Sequence, residues 1–225
     1  MRLKYLVAKI SDQALIDSSR AGEPSPTAAQ HLGQTALKLF ARKGYTATSV
    51  NEIVEAAGVT KPMLYYYYGS KEQLARRLVV EPLEKLTQKL KALEFDSADP
   101  LDREIGWLTA QLEFCREDAD RARFVFALYF GPLGAELADA VADYGHRAKQ
   151  IILNIAKTRI HFADCSDDLI HDYVRAIHGQ MVSTAIEILY TDPDSPLWQV
   201  SAHDLAVRLI TDLDHGYLNS SSKPG

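Results

Sequence analysis

Tyr65, Tyr66, Tyr67 and Tyr68 stand in a row inside KPMLYYYYGSK, flanked by Lys61 and Lys71. A phenol hydroxyl reaches phosphate oxygens, a phenol ring covers a thymine methyl, and an ammonium meets a phosphate or a guanine edge. On a helix, successive side chains lie about 100° apart, so four adjacent rings sweep most of the circumference and cannot all face one core. Some of them must face solvent or a partner. A strand would place two on each face, with Val59 and Leu64 in support. Pro62 near the start and Thr60 before it favour the helix, because Thr caps an N-terminus and Pro is tolerated in a first turn. Leu64 and Tyr68 then share an inward face with Val59, while Lys61, Met63, Tyr66 and Tyr67 lie largely opposite and Tyr65 falls near the boundary. The competing reading of a run of exposed aromatics is a protein interface.

The elements that must position this segment are written on either side of it. From Thr27 to Lys43, Leu32, Ala36, Leu39 and Phe40 recur at helical spacing, and Gly44 closes the helix. Ser49 to Ala57 repeats the device with Val50, Ile53, Val54 and Ala57, ending at Gly58; Thr48 and Ser49 are its candidate N-caps. GSKEQL starts a further helix, with Ser70 as cap and Gln73 three residues on, a capping-box pattern. Two short helices across a glycine-containing turn, the second apolar on one side only, describe a helix-turn-helix whose second helix enters the DNA major groove. Charge distribution agrees with this. The chain carries −5 overall, but residues 25–95 hold ten Lys and Arg against six Asp and Glu, net +4, and residues 96–225 hold eleven against twenty-one, net −10. A basic segment ahead of an acidic body suggests that one end meets a polyanion.

TALKLFARKGYTATSVNEIVEAAGVTKPMLYYYYGSKEQL, Thr35 to Leu74, resembles the DNA-binding domain of the tetracycline-repressor (TetR) family of bacterial regulators, and the ending LYTDPDSPLWQVSAHDLAVRLITDLDHGYLN is similar to that family's last two helices and their loop. The resemblance implies phosphate contacts at Thr48, Ser49, Tyr66, Tyr67 and Lys71, and base contacts at Asn51, Lys61, Pro62, Met63 and Tyr65. Asn pairs with adenine and Lys with guanine, whereas Pro and Met offer only apolar surface. The chain departs from the commoner pattern in having Pro62 where Gly is usual, Met63 where Thr is usual and Tyr68 where Phe is usual. The last departure puts a hydroxyl at a core position, where it must find a partner.

The expected fold is all-α, an N-terminal three-helix helix-turn-helix domain ahead of a larger C-terminal helical domain for ligand binding and dimerisation. Expected divisions are a flexible tail at 1–24, with a DNA-contacting arm as the sharper alternative, the reading domain at 25–72, the regulatory and dimerisation domain at 73–219, and a tail at 220–225. Pro82 should kink the helix that connects the two domains. Residues 101–116 are apolar nearly all round and FVFALYF, Phe124 to Phe130, is continuously apolar, so these segments fill a core or line a cavity. With the family's habit of housing an inducer here, the expected lining is Trp107, Gln111, Phe114, Phe126, Tyr129, Phe130, His178 and Met181, which suits a mainly apolar or aromatic small molecule. Homodimerisation is expected through the last two long helices, on a stripe of Tyr173, Ile177, Met181, Ala185 and Ile188 and another of Leu205, Leu209, Ile210 and Leu213. The DNA partner is then a palindromic double-stranded operator with half-sites about one turn apart.

Other chemistries find less support. His161, Asp164, Cys165, Asp168 and His171 have metal-like spacing, which leaves a metal-responsive regulator as an alternative beside a ligand-free one. Acidic and His residues between helices are more often a solvated loop. GxSxG, a phosphate-binding glycine loop and HExxH are all missing, so an enzyme is the remote alternative and neither cofactor nor metal is expected. Cys115 and Cys165 form no CxxC pair. The chain has no uninterrupted apolar run near the ~18 residues of a membrane span and no recognisable secretory signal, so the expected location is the cytoplasm.

Overall fold

The computed structural model describes residues 26–131, 136–191 and 196–221, and the expected N-terminal tail at 1–24 lies outside them. Ten α-helices and one 3-10 turn follow in order among these residues: α1 Pro26–Lys43, α2 Val50–Ala56, α3 Lys61–Tyr68, α4 Lys71–Asp96, α5 Pro100–Glu117, α6 Ala119–Tyr129, α7 Glu136–Ala156, the turn Ile160–Phe162, α8 Asp167–Tyr190, α9 Pro196–Gln199 and α10 Ala202–Ser221. The fold is all-α, with an N-terminal helix-turn-helix and a larger helical C-terminal part. The last helix extends to Ser221, into the segment expected to be a tail.

Local chemistry sets the ends of these helices. Gly44, Gly58 and Gly69 have φ of 82°, 64° and 77°, a left-handed backbone that disfavours any side chain and breaks the chain after α1, α2 and α3. Ser49 caps α2 in a complete capping box, since its hydroxyl accepts from the Glu52 amide and the Glu52 carboxylate accepts from the Ser49 amide. Lys43 joins this box at 2.6 Å, and its hydrogen bond, followed by those from Ser49, holds the Glu52 carboxyl down at about 2. Two cap expectations need correction. Thr60 occupies the N-cap of α3 but makes no side-chain cap bond, and Thr48 is fully buried, its hydroxyl donating to the Gly44 carbonyl at 2.8 Å rather than capping α2.

Helix α4 runs unbroken through Pro82, whose missing N–H leaves the Leu78 carbonyl without its usual helical partner. Its buried row from Leu74 to Leu90 packs against α5 and α7, so one helix belongs to both the helix-turn-helix part and the body. A second connection is aromatic: Phe40 of α1 stacks on Phe124 of α6, centroids 5.2 Å apart and planes 29° from parallel. Arg123 fixes α6 from the other side by donating twice to the Leu189 carbonyl at the end of α8, at 2.6 and 3.0 Å.

The C-terminal core also encloses an ionic cluster. Arg159, after α7, meets Glu104 of α5 at 2.8 Å and Asp214 of α10 at 2.5 Å, and the Tyr173 hydroxyl of α8 lies 2.9 Å from both carboxylates. Glu104 is fully buried and its second oxygen has no partner among the described residues. Two carboxylates share one guanidinium, so protonating Glu104 removes a net buried charge. Burial pushes its carboxyl up to about 7, Asp214 adds to the rise, and Arg159 and Tyr173 oppose it. A raised carboxyl stabilises the fold most below its unfolded value near 4.5, and that contribution disappears as pH rises through about 7. Glu104→Gln keeps an acceptor toward Arg159 and cannot ionise. Between about pH 5 and about pH 7.5 the parent should lose on the order of 2 kcal/mol of unfolding free energy relative to this variant. Parallel urea stability profiles for the two proteins would refute the assignment.

Candidate functional site: a nucleic-acid interface and an internal cavity

Helix α3 buries the two positions expected to face inward, while Met63 and Tyr67, expected opposite, are half-buried and Tyr65, expected at the boundary, is exposed. Leu64 and Tyr68 are buried, Val59 packs against them, and Lys61, Pro62, Tyr65 and Tyr66 are exposed, Tyr66 most of all at 72%. Met63 is half-buried. Tyr67 is half-buried with its ring edge-on to Tyr66 at 5.4 Å, and its enclosed hydroxyl has no hydrogen-bond partner among the described residues. The unusual hydroxyl of Tyr68 does have one. It donates to the Ala29 carbonyl of α1 at 2.8 Å, and it passes so close to Gly33 that a Cβ there would lie 2.8 Å from the oxygen. This bond ties α3 to α1 and satisfies the buried group.

The other expected DNA contacts divide by geometry. Asn51 and Ser49 are exposed at the start of α2, whose first-turn amides have no intrahelical acceptor. Thr48 directs its side chain inward, so any phosphate contact here must use neighbouring groups. The Lys71 ammonium donates to the Tyr45 carbonyl at 3.0 Å and the Thr48 carbonyl at 2.9 Å, and it lies 4.2 Å from the centre of the Tyr45 ring. It therefore clamps the turn between α1 and α2 to the start of α4, beside the exposed end of α2.

In the body, Gln111, Phe114, Phe126, Tyr129, His178 and Met181 line one cavity. Two expected lining residues lie elsewhere. Trp107 is fully buried in solid core, its indole N–H donating to the Ala148 carbonyl at 3.1 Å, and Phe130 is 64% exposed just after the end of α6. The continuous run FVFALYF is thus buried only in its first half. Sequence reasoning missed Leu83, Cys115, Val141, Tyr144 and Gly145. Most of these sit on α7, whose own periodicity carried the signal. Burial raises the Tyr144 hydroxyl and pushes the Cys115 thiol up to about 12, and Tyr144 donates a short hydrogen bond to the Gln111 side-chain oxygen. His178 is held below its ordinary value, first by burial and then by the charge of Lys149. The cavity measures about 50 Å³, room for a few water molecules.

The stripes expected to form a dimer face also need correction. Tyr173, Ile177, Met181, Ala185 and Ile188 are buried within the protomer, as are Leu205 and Ile210, while Leu209 and Leu213 are half-buried. The outer face of α8 instead presents Gly179, Ser183, Ile186 and Tyr190. His161, Asp164 and Asp168 are exposed, and no cluster of three His, Cys, Asp or Glu able to hold a metal exists among the described residues. None of the described helices is long and apolar enough to cross a membrane.

Comparison with known proteins agrees with the surface and the fold. Residues 34–78 match the family described as "Bacterial regulatory proteins, tetR family". The chain is 26% identical over 174 residues to the HTH-type transcriptional regulator LmrA of Bacillus subtilis, covering 74% of this chain and 89% of that one. It is 31% identical over 96 residues to the HTH-type transcriptional repressor KstR2 of Mycobacterium tuberculosis, a match spanning 43% of this chain and 44% of the relative. A TetR-family transcriptional regulator from Bordetella parapertussis has the same fold, with a TM-score of 0.68 at 21% identity over 87% of this chain and 98% of its own. The helix-turn-helix with its exposed tyrosine face therefore lies inside the segment that matches the tetR family, and the body shares the fold of a TetR-family regulator.

Proposed function

We propose that this protein is a TetR-family transcriptional repressor that binds a palindromic operator as a homodimer and is released by a small, mainly apolar molecule bound in the body. Residues 25–72 would act as the reading unit and residues 73–219 as the regulatory and dimerisation unit. One observation carries the coupling. Helix α6 lines the cavity with Val125, Phe126 and Tyr129 and stacks Phe124 on Phe40 of the reading head. A ligand that moves α6 therefore moves a wall of the head. At about 50 Å³ the cavity is far below the ~300 Å³ of a typical ligand site, so an effector must bind an expanded conformation more tightly than this contracted one. The contracted conformation is then the one suited to DNA.

Dimerisation through the exposed face of α8 together with α10 suits this reading. An added Cβ at Gly179 would meet nothing within 4 Å, which leaves room for a second helix to approach, and Ile186 and Tyr190 supply apolar area at 42% and 65% exposure. A charge at Met181 would disrupt the protomer core and says nothing about the interface.

Operator selection from a random duplex pool, followed by fluorescence anisotropy, tests the reading head. Tyr66→Ala should weaken binding to all sequences. Lys61→Ala should change preference at one base pair by about 1–3 kcal/mol. These two positions are better probes than Lys71, whose removal would also release the turn between α1 and α2. Folded variants at both positions with unchanged affinity and preference would remove α3 as the reading helix.

A further inference from the structure

Directly outside the cavity lies an open cleft of about 460 Å³, lined by Tyr129, Ala142, Gly145, His146, Lys149, Arg175 and His178. Three of these residues, Tyr129, Gly145 and His178, also line the inner cavity. The partition between the two spaces is therefore one ring, one bare stretch of helix and one imidazole. The Tyr129 ring lies so close on α7 that a Cβ at Gly145 would come within 2.9 Å of it. Tyr129 is the last residue of α6 and is 39% exposed, its ring held edge-on by Phe130 at 5.1 Å. A turn of this ring would join the cleft to the cavity.

The two sides of that partition differ chemically. Inside are Leu83, Phe114, Val125, Phe126 and Val141, with Gln111 and Tyr144 already bonded to one another. Outside, the lining contains a lysine, an arginine and two histidines, and no Asp or Glu, although residues 96–225 carry a net charge of −10. Arg175 is partly neutralised by Asp172 at 2.8 Å. Lys149 has no salt-bridge partner among the described residues, and its charge reaches His178. A cation lining the cleft outside an apolar cavity, in an acidic domain, favours an anion that brings its own apolar surface.

We propose that cavity and cleft form one site for an amphipathic organic anion, its apolar tail entering past Tyr129 among the aromatic and aliphatic walls and its anionic group held by Lys149, with Arg175 and the two histidines on the rim. This rests on the effector reading above and narrows it from an apolar molecule to an apolar molecule with a carboxylate or phosphate head. His178, held neutral by its surroundings, serves as a hydrogen-bonding group at the junction rather than as a second charge.

Isothermal titration of the full-length protein with decanoate, decyl phosphate and decan-1-ol, each below its aggregation limit, tests the site. The three share a tail and differ in the head. At least one anion should bind about tenfold more tightly than the alcohol, since a hydrogen bond to a charged group contributes about 1.5–3 kcal/mol. The order of the two anions identifies the head as carboxylate or phosphate. Lys149→Gln, a substitution at an exposed position, should remove most of that margin and leave alcohol binding unchanged. Equal affinity for alcohol and anions in the parent overturns the proposal, as does an anion preference that survives Lys149→Gln combined with Arg175→Gln. Failure of all three to bind up to their solubility also overturns it. Operator binding is measured without any of them, so the DNA-binding reading stands or falls separately.

Discussion

Arg159→Ala should cost about 3–5 kcal/mol of unfolding free energy at neutral pH, because it leaves carboxylates enclosed without their cation. Arg159 is 7% exposed and bonds Glu104, Asp214 and the Tyr173 hydroxyl, so one side chain joins α5, α8 and α10. Burial opposes its charge, but Asp214 and Glu104 together hold it above its ordinary value. Without the guanidinium, Glu104 and Asp214 share Tyr173 alone, and Glu104 must take up a proton to remain inside. The loss should accordingly shrink toward about pH 5, where that proton is readily available. Urea unfolding of parent and variant at one protein concentration measures this, the fixed concentration being needed because the proposed dimer would add to apparent stability. A cost below about 1 kcal/mol at both pH values would mean that water already solvates the cluster.

That cluster also shows where sequence reading stops. Glu104, Arg159, Tyr173 and Asp214 lie far apart in the chain; the three charged residues each read alone as ordinary surface positions, and Tyr173 as part of an apolar stripe. Only the packing of α5, α8 and α10 brings them together. The reading head was legible because its signals are local: Ser49 with Glu52, the glycines after each short helix, and the four-residue step from Leu64 to Tyr68 are all decided within a turn or two of chain. The need for a partner at Tyr68 could be read as well, but not which carbonyl would supply it. In the body, periodicity identified apolar faces without saying what covers them. The stripe from Tyr173 to Ile188 has the spacing of a dimer seam and of a core face alike, and the structure places it in the core. Six of the expected cavity residues do meet around one space, while the walls contributed by α4 and α7 went unseen because they required knowing which helices pack beside α5 and α6.

Trp107 and Phe130 were grouped as cavity walls by their residue type, and they should now separate sharply on truncation. Trp107→Ala should cost about 3–5 kcal/mol, the range for emptying a packed aromatic site. Trp107 is fully buried where α5 meets α7, and its loss leaves the Ala148 carbonyl without the indole donor. Phe130→Ala should change stability by less than about 1 kcal/mol, since the ring is mostly in solvent, edge-on to Tyr129 at 5.1 Å and stacked on Phe126 at 6.1 Å. Its effect belongs to the effector response instead. Tyr129 separates cleft from cavity, and removing the ring against it frees Tyr129 to turn. Thermal unfolding of both variants, with decanoate and decyl phosphate titrated into each, separates the two roles. Equal destabilisation by the two truncations would mean that Phe130 is covered by protein in solution. A Phe130→Ala protein with parental stability and altered anion affinity would instead locate the ligand's entry at the end of α6.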